Sequence, residues 1–133
     1  MIETLTLETT RESEFVDITS DIKSIIAKRR VAEGLCIVYV PHTTAGVTIN
    51  ESADPTVKRD ILKSLERLVP LHGDYQHSEG NSAAHIKSSL IGSSVNVLVS
   101  DLKPLLGTWQ GIFFCEFDGP RSRRVLVQVI AAE

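Results

Sequence analysis

The sequence predicts one α+β domain built mainly from antiparallel sheet, with two main helices and a short third. Two observations carry this. Six short runs have strand composition while three segments have helical spacing or capping, and the two kinds do not follow strict β-α-β alternation. At 133 residues and 42% hydrophobic content, the chain is long enough for one real core and short for two, so residues 1–133 are expected to form a single domain.

Taken in order, "IETLTLET" alternates imperfectly through Ile2, Leu5 and Leu7, and its threonines favour extended backbone. A helix follows, capped by Asp17 or Thr19. Ile18, Ile22, Ile25 and Ile26 share one face, and Lys28, Arg29 and Arg30 suit the negative end before Gly34 stops it. "LCIVYV", ended by Pro41, reads as a central strand buried on both faces, and after a turn at Ala45-Gly46 "VTIN" reads as another strand. Asp54-Pro55 opens the second helix, because the carboxylate accepts from orphan amides and proline at the first helical position loses no hydrogen bond. Val57, Ile61, Leu62, Leu65, Leu68 and Val69 supply its apolar stripe, and Pro70 closes it. From Leu71 to Asn81 there is no periodicity, which predicts a loop. Asn81 or Ser82 then caps a short helix through "AAHIKSSLIG", and "VNVLVSD", "QGIFFCEF" and "RRVLVQVIA" are the late strands.

The net charge of -3 offers no basic field for a phosphate backbone, which argues against nucleic acid as a partner. No long apolar run suggests a membrane span, and "MIETLTLETT" lacks the order of a signal peptide, so a cytoplasmic location is expected. Cys36 and Cys115 each lie in an apolar run, where a small buried reduced thiol is the ordinary reading. P-loop, G-x-G-x-x-G, G-x-S-x-G and C-x-x-C patterns are all absent.

Three polar clusters remain. In "PHTTAGVTINESADP", His42 leaves a buried strand while Glu51 and Asp54 follow the next one; pairing of those two strands would let the polar ends converge. Asp54 as a mere cap, Glu51 as a solvated carboxylate and His42 as a structural histidine are the plainer alternatives. In "HSEGNSAAH", His77 and His85 stand eight positions apart across a loop-to-helix junction, not at the i,i+4 spacing of a zinc protease. Outward amides at the helix start near Asn81 or Ser82 favour an anion such as phosphate. In "LGTWQGIFFCEFDGPRSRR", Trp109 and Gln110 alternate between Gly107 and Gly111, and Asp118-Gly119-Pro120 is a turn. Arg121 after that turn either holds an anion or pairs with Glu116 or Asp118; Arg123 and Arg124 read as a solvated strand end.

Together, "PHTTAGVTINESADP", "HSEGNSAAHIKSSLIG" and "LGTWQGIFFCEFDGPRSRRV" resemble, in this order, the YjbQ family, whose members are often labelled secondary thiamine-phosphate synthases. The resemblance covers nearly the whole chain and implies a β-sandwich core, a homotrimer, and a pocket near the subunit boundary. It also implies a weak ability to join hydroxymethylpyrimidine diphosphate to a thiazole phosphate with release of pyrophosphate. The family pattern matches at His42, Thr43, Thr44, Glu51, Asp54, Asp60, His77, Glu79, Asn81, Ser82, His85, Gln110, Asp118 and Arg121, while His72 lies outside it. On this basis His42, His77, His85 and Glu51 are the catalytic candidates. Thr43, Thr44, Asn81, Ser82, Gln110 and Arg121 are the substrate-binding ones, and His77, His85, Asp54 and Asp118 would hold a divalent metal, magnesium or zinc. The rival reading is a metal- or anion-binding module, or an enzyme acting on another phosphorylated metabolite.

Overall fold

Strand pairing divides the chain between two antiparallel sheets in the computed structural model, which describes residues 1–133. The elements run β1 (Glu3–Glu8), β2 (Glu14–Asp17), α1 (Thr19–Arg29), β3 (Gly34–Tyr39), β4 (Ala45–Glu51), α2 (Pro55–Leu68), α3 (Ser82–Ile91), β5 (Ser94–Ser100), β6 (Lys103–Pro104), β7 (Gln110–Glu116) and β8 (Ser122–Ala131). The larger sheet has the order β1-β8-β3-β5-β6 and the smaller β2-β7-β4. The expected α+β sandwich with three helices is thus the observed architecture. No helix is long and apolar enough to cross a membrane.

Residue parity explains how the sheets stack. Cys36, Val38, Val97, Val99, Val125 and Val127 of the large sheet face Val47, Ile112 and Phe114 of the small one, with Ile18, Ile22 and Ile26 closing the same core from the α1 side. Each fully buried isoleucine contributes about 1.5–3 kcal/mol. The opposite face of the small sheet carries Phe15, Phe113 and Cys115, which pack with Phe117 against Leu65 of α2 and Ala84 of α3. The layers are therefore large sheet, small sheet beside α1, then α2 and α3. Both cysteines are free and buried; burial pushes the Cys36 thiol up to about 11 and Cys115 higher still, so neither is a nucleophile.

Several expectations are corrected. The helix from Thr19 ends at Arg29 because Arg30 takes a left-handed conformation (φ 57°) and donates its amide to Ala27, while Gly34 already belongs to β3. Strand β3 is central, but only its inner face is sealed, and Tyr39 on the other face is 44% exposed. Strands β3 and β4 do not pair, since they lie in different sheets. The short β2 and β6 were not expected; with four and two residues they carry too little pattern to register.

Candidate functional site

The β4–β7 ladder sets the geography, with Ala45 opposite Glu116 at one end and Glu51 opposite Gln110 at the other. Six strand steps separate these ends, about 20 Å. Within one chain the three polar clusters are therefore two neighbourhoods: His42, Thr43, Thr44 and Asp118 at one end, Glu51, Asp54 and Gln110 at the other.

The first end is organised around a buried ion pair. Glu116 and Arg123 are 0% and 3% exposed. Arg123 Nε donates to Glu116 Oε1 at 2.8 Å, and its Nη2 donates to Glu116 Oε2, to the Thr44 carbonyl and to Thr44 Oγ1. Thr9 Oγ1 donates to Glu116 Oε1 (2.8 Å), and the amides of Phe117 and Asp118 donate to Oε2. Burial alone would raise the Glu116 carboxyl, but hydrogen bonds from Arg123, the Asp118 amide and Thr9, with the Arg123 charge, hold it below its ordinary value. Arg123 is thus no solvated strand end. It staples the large sheet to the small one and fixes both the Thr44 segment and the 117–121 turn. At Gly119 an added Cβ would lie 2.3 Å from the Arg11 carbonyl oxygen, so the turn has no room for a side chain.

Helix α3 starts beside this turn. Asn81 precedes it, but its side chain makes no cap; Nδ2 instead donates to Asp118 Oδ2 at 2.9 Å, the oxygen that also accepts from Arg121 Nη2 at 3.0 Å. Arg121 is therefore paired with Asp118, one of the two arrangements the sequence left open. Asn81 Oδ1 is buried without a partner, and the first turn of α3 keeps its outward amides uncapped by any side chain.

Two cavities flank α3 and share His85. One, of about 400 Å³, is lined by Asp74, Tyr75, Gln76, His77, Ser82 and Ile86 along with His85. The other, of about 500 Å³, lies between α3 and the 40–45 segment, with His42, Thr43, Ser88, Ser89 and Ser93 on its walls. The His77 and His85 rings meet edge to face with centroids 5.4 Å apart. His42 accepts a hydrogen bond at Nε2 from the Arg124 amide, 3.0 Å. Its imidazole is held below its ordinary value by burial and by the charges of Arg123 and Arg124, which outweigh Glu116.

At the other end the side chains serve local turns. Glu51 Oε2 accepts from the Ala53 amide, Asp54 Oδ1 accepts from the amide and hydroxyl of Thr56, and Gln110 Oε1 accepts from the Gly107 amide. The Thr56 side-chain hydrogen bond, then its backbone one, lower the Asp54 carboxyl. Asp54 is the α2 cap that the sequence predicts. Gln110 lines a third cavity of about 470 Å³ with Thr19, Lys23, Ser52 and Lys103. Asp60 and Glu79 are exposed.

The four expected metal ligands do not converge in one chain. Asp54 sits at the far end, and Asp118 Oδ2 already accepts from two donors. His77 and His85 alone are one ligand short of the three that a catalytic zinc takes from protein, and magnesium asks for oxygen donors. No group of three or more histidine, cysteine or acidic side chains is placed to hold a metal ion. The donor set of a single chain does not fit a resident metal.

Sequence reading missed Thr9, Glu116, Arg123, Ser88 and Ser89. For the ion pair a signal existed: Glu116 is in phase with Ile112 and Phe114, and Arg123 with Val125 and Val127, all buried. Parity alone points both charges into the core.

Fold and site together define an α+β sandwich with histidine-lined polar cavities between the 74–77 loop, α3 and the 40–45 segment. The profile of the family described as "UPF0047 protein YjbQ-like" matches residues 3–132, and the chain belongs to this family. It is 56% identical to UPF0047 protein MJ1081 of Methanocaldococcus jannaschii over 93% of this chain and 90% of that protein. With UPF0047 protein YugU of Bacillus subtilis it shares 45% identity over 98% of this chain and 99% of that one. A YjbQ/UPF0047 family crystal structure from Clostridium acetobutylicum superposes with a TM-score of 0.95 at 52% identity, covering 96% of this chain and 99% of the other. A YbjQ-like protein from Sulfolobus solfataricus gives a TM-score of 0.95 at 30% identity, covering 99% and 97%.

Proposed function

We propose that the protein is a transferase acting on small phosphorylated metabolites in the paired cavities around His85. The observation that carries this reading is that one histidine wall serves two adjoining cavities of metabolite size. One substrate can then be held on each side. The cavity lined by Ser82, His77 and His85 suits phosphate, because the uncapped start of α3 directs amide hydrogens and positive dipole outward.

The specific reaction proposed is the thiamine-phosphate synthase condensation. The bond from the pyrimidine methylene carbon to diphosphate oxygen breaks, its electron pair leaving with pyrophosphate, while the thiazole ring nitrogen supplies the pair for the new carbon–nitrogen bond. Charge collects on the leaving group, so the useful groups are donors near it. His77 and His85 would donate to the departing oxygens and Ser82 would orient them. A divalent ion enters only if bound phosphate oxygens complete the His77–His85 pair.

A homotrimer belongs to the same proposal. The outer face of the large sheet exposes Ile2, Tyr39, Leu98 and Ile130, and a cavity of about 300 Å³ opens there between Ile37, Tyr39 and Leu126. An apolar patch of this kind favours burial between subunits.

The test is turnover of hydroxymethylpyrimidine diphosphate with thiazole phosphate by purified wild type, His77→Ala and His85→Ala, alongside size-exclusion chromatography. Activity lost from both variants with assembly retained is the expected result. Equal turnover in all three removes the histidines from the chemistry, and release of monomers makes them subunit cement instead.

A further inference from the structure

We infer that the cavity between α3 and the 40–45 segment is a subsite for an uncharged group bearing both a hydrogen-bond donor and an acceptor, with His42 as its fixed Nδ1–H donor. The inference deepens the two-cavity reading above and rests on it for the pairing of the two subsites. The polarity of this cavity follows from hydrogen bonds already committed elsewhere. His42 Nε2 accepts from the Arg124 amide at 3.0 Å. A ring nitrogen that accepts carries no proton, so in the neutral imidazole the proton is on Nδ1. The hydroxyl of Ser88 donates to the Ala84 carbonyl at 2.8 Å and that of Ser89 to the His85 carbonyl at 2.9 Å. Both serines then turn only lone pairs outward.

The wall thus combines one fixed donor on His42, two fixed acceptors on Ser88 and Ser89, the rotatable hydroxyls of Thr43 and Ser93 and the shared His85, with no lysine, arginine, aspartate or glutamate. A phosphate would meet the Ser88 and Ser89 lone pairs and no lysine or arginine, while a metal would find no carboxylate or thiolate. An amide-like or amino-heterocyclic edge meets complementary partners on both counts. Burial and the neighbouring charges of Arg123 and Arg124 act in the same direction, against a second proton on His42. Its role is to position a ligand, while donation to the leaving group falls to His77 and His85.

The experiment uses the full-length protein labelled with nitrogen-15, with imidazole tautomers read from long-range proton–nitrogen correlations at neutral pH. His42 is expected as the Nδ1–H form with an unprotonated Nε2. Nicotinamide, uncharged at that pH, is expected to shift the His42 signals, and inorganic phosphate to leave them in place. In Ser89→Ala, at an exposed position, the tautomer should persist and nicotinamide should bind several-fold more weakly. An Nε2–H tautomer, an imidazolium at neutral pH, a His42 response to phosphate as large as that of His85, or no response to nicotinamide overturns the inference. If phosphate moves neither His77 nor His85, the phosphate cavity is refuted while the tautomer result still decides the His42 role.

Discussion

The two ends of the β4–β7 ladder are the same length of backbone from the same core, yet they are built in opposite ways. At the Ala45–Glu116 end a buried carboxylate and guanidinium tie β7 and β8 to Thr9, just past β1, and to Thr44, just before β4, with Glu116 receiving hydrogen bonds from Thr9, Arg123 and two backbone amides. At the Glu51–Gln110 end Glu51, Asp54 and Gln110 each accept from an amide two or three residues away, and the distant contacts are single neutral ones, from the Ile112 amide to Thr19 Oγ1 and from Ser52 Oγ to the Trp109 carbonyl. The first arrangement holds distant segments in one geometry, as a site needs; the second shapes turns. What separates the two ends is a buried ion pair that gathers several distant segments at one, against local turns and single neutral contacts at the other, since polar residues are plentiful at both ends.

The largest effect should come from breaking the buried pair. Arg123→Met leaves Glu116 without its counter-charge in the core and should cost about 3–5 kcal/mol, read from urea unfolding. The double variant Glu116→Gln/Arg123→Met should recover part of that loss, because the unpaired charge is gone. A single-variant loss under about 1 kcal/mol, the level of a surface pair, would mean that the two ends do not differ in the way argued.

Acid should act on the same end next. The Glu116 carboxyl is depressed in the folded protein, so its stabilisation is present above the ordinary value of 4.5 and is lost as pH falls through the lower folded value. The His42 imidazole is also depressed, so the fold prefers it neutral; that contribution is complete above 6.5 and declines as pH drops below it. Both slopes have the same sign. The urea midpoint should therefore fall in two stages on acidification, the first below 6.5 and the second below 4.5. His42→Gln should abolish the first stage alone.

These expectations also mark what the sequence made legible. Helix α2, its Asp54 cap and Pro55 start are local signals, and all appear in the structure. So do the α3 segment and the late strands, whose patterns are long enough to read. The partition into two sheets was not legible, because nothing local in "LCIVYV" or "VTIN" says that β3 and β4 belong to different layers. That misreading placed Glu51 and Asp54 beside His42. Arg123 was hidden for another reason: adjacent arginines look alike in composition, and only strand parity sends Arg123 inward while Arg124 stays exposed.

A middle-sized effect belongs to the contact between α3 and β4. A Cβ at Gly46 would lie 2.5 Å from the Gly92 carbonyl oxygen, which itself accepts from the Val47 amide. Gly46→Ala must push the end of α3 away and should cost about 1–3 kcal/mol, typical of overpacking. The shift widens the cavity between His42 and Ser88, so nicotinamide binding should weaken further than stability alone accounts for. Unfolding curves and chemical-shift titrations on the one variant separate the two consequences.

The smallest effect, and the sharpest test of the comparison, is Asp54→Ala. The variant loses the hydrogen bond to the Thr56 amide at 2.9 Å and leaves the α2 start uncapped. The side chain is exposed, so the urea midpoint should move less than in Gly46→Ala. Phosphate-induced shifts at His77 and His85 should stay at wild-type size, because Asp54 stands a strand length away on its own chain. A collapse of the histidine response in a variant that is folded and assembled would carry the opposite lesson. It would mean that Asp54 reaches the cleft from a neighbouring copy, and that the two ends of the ladder are halves of one site joined only in the oligomer.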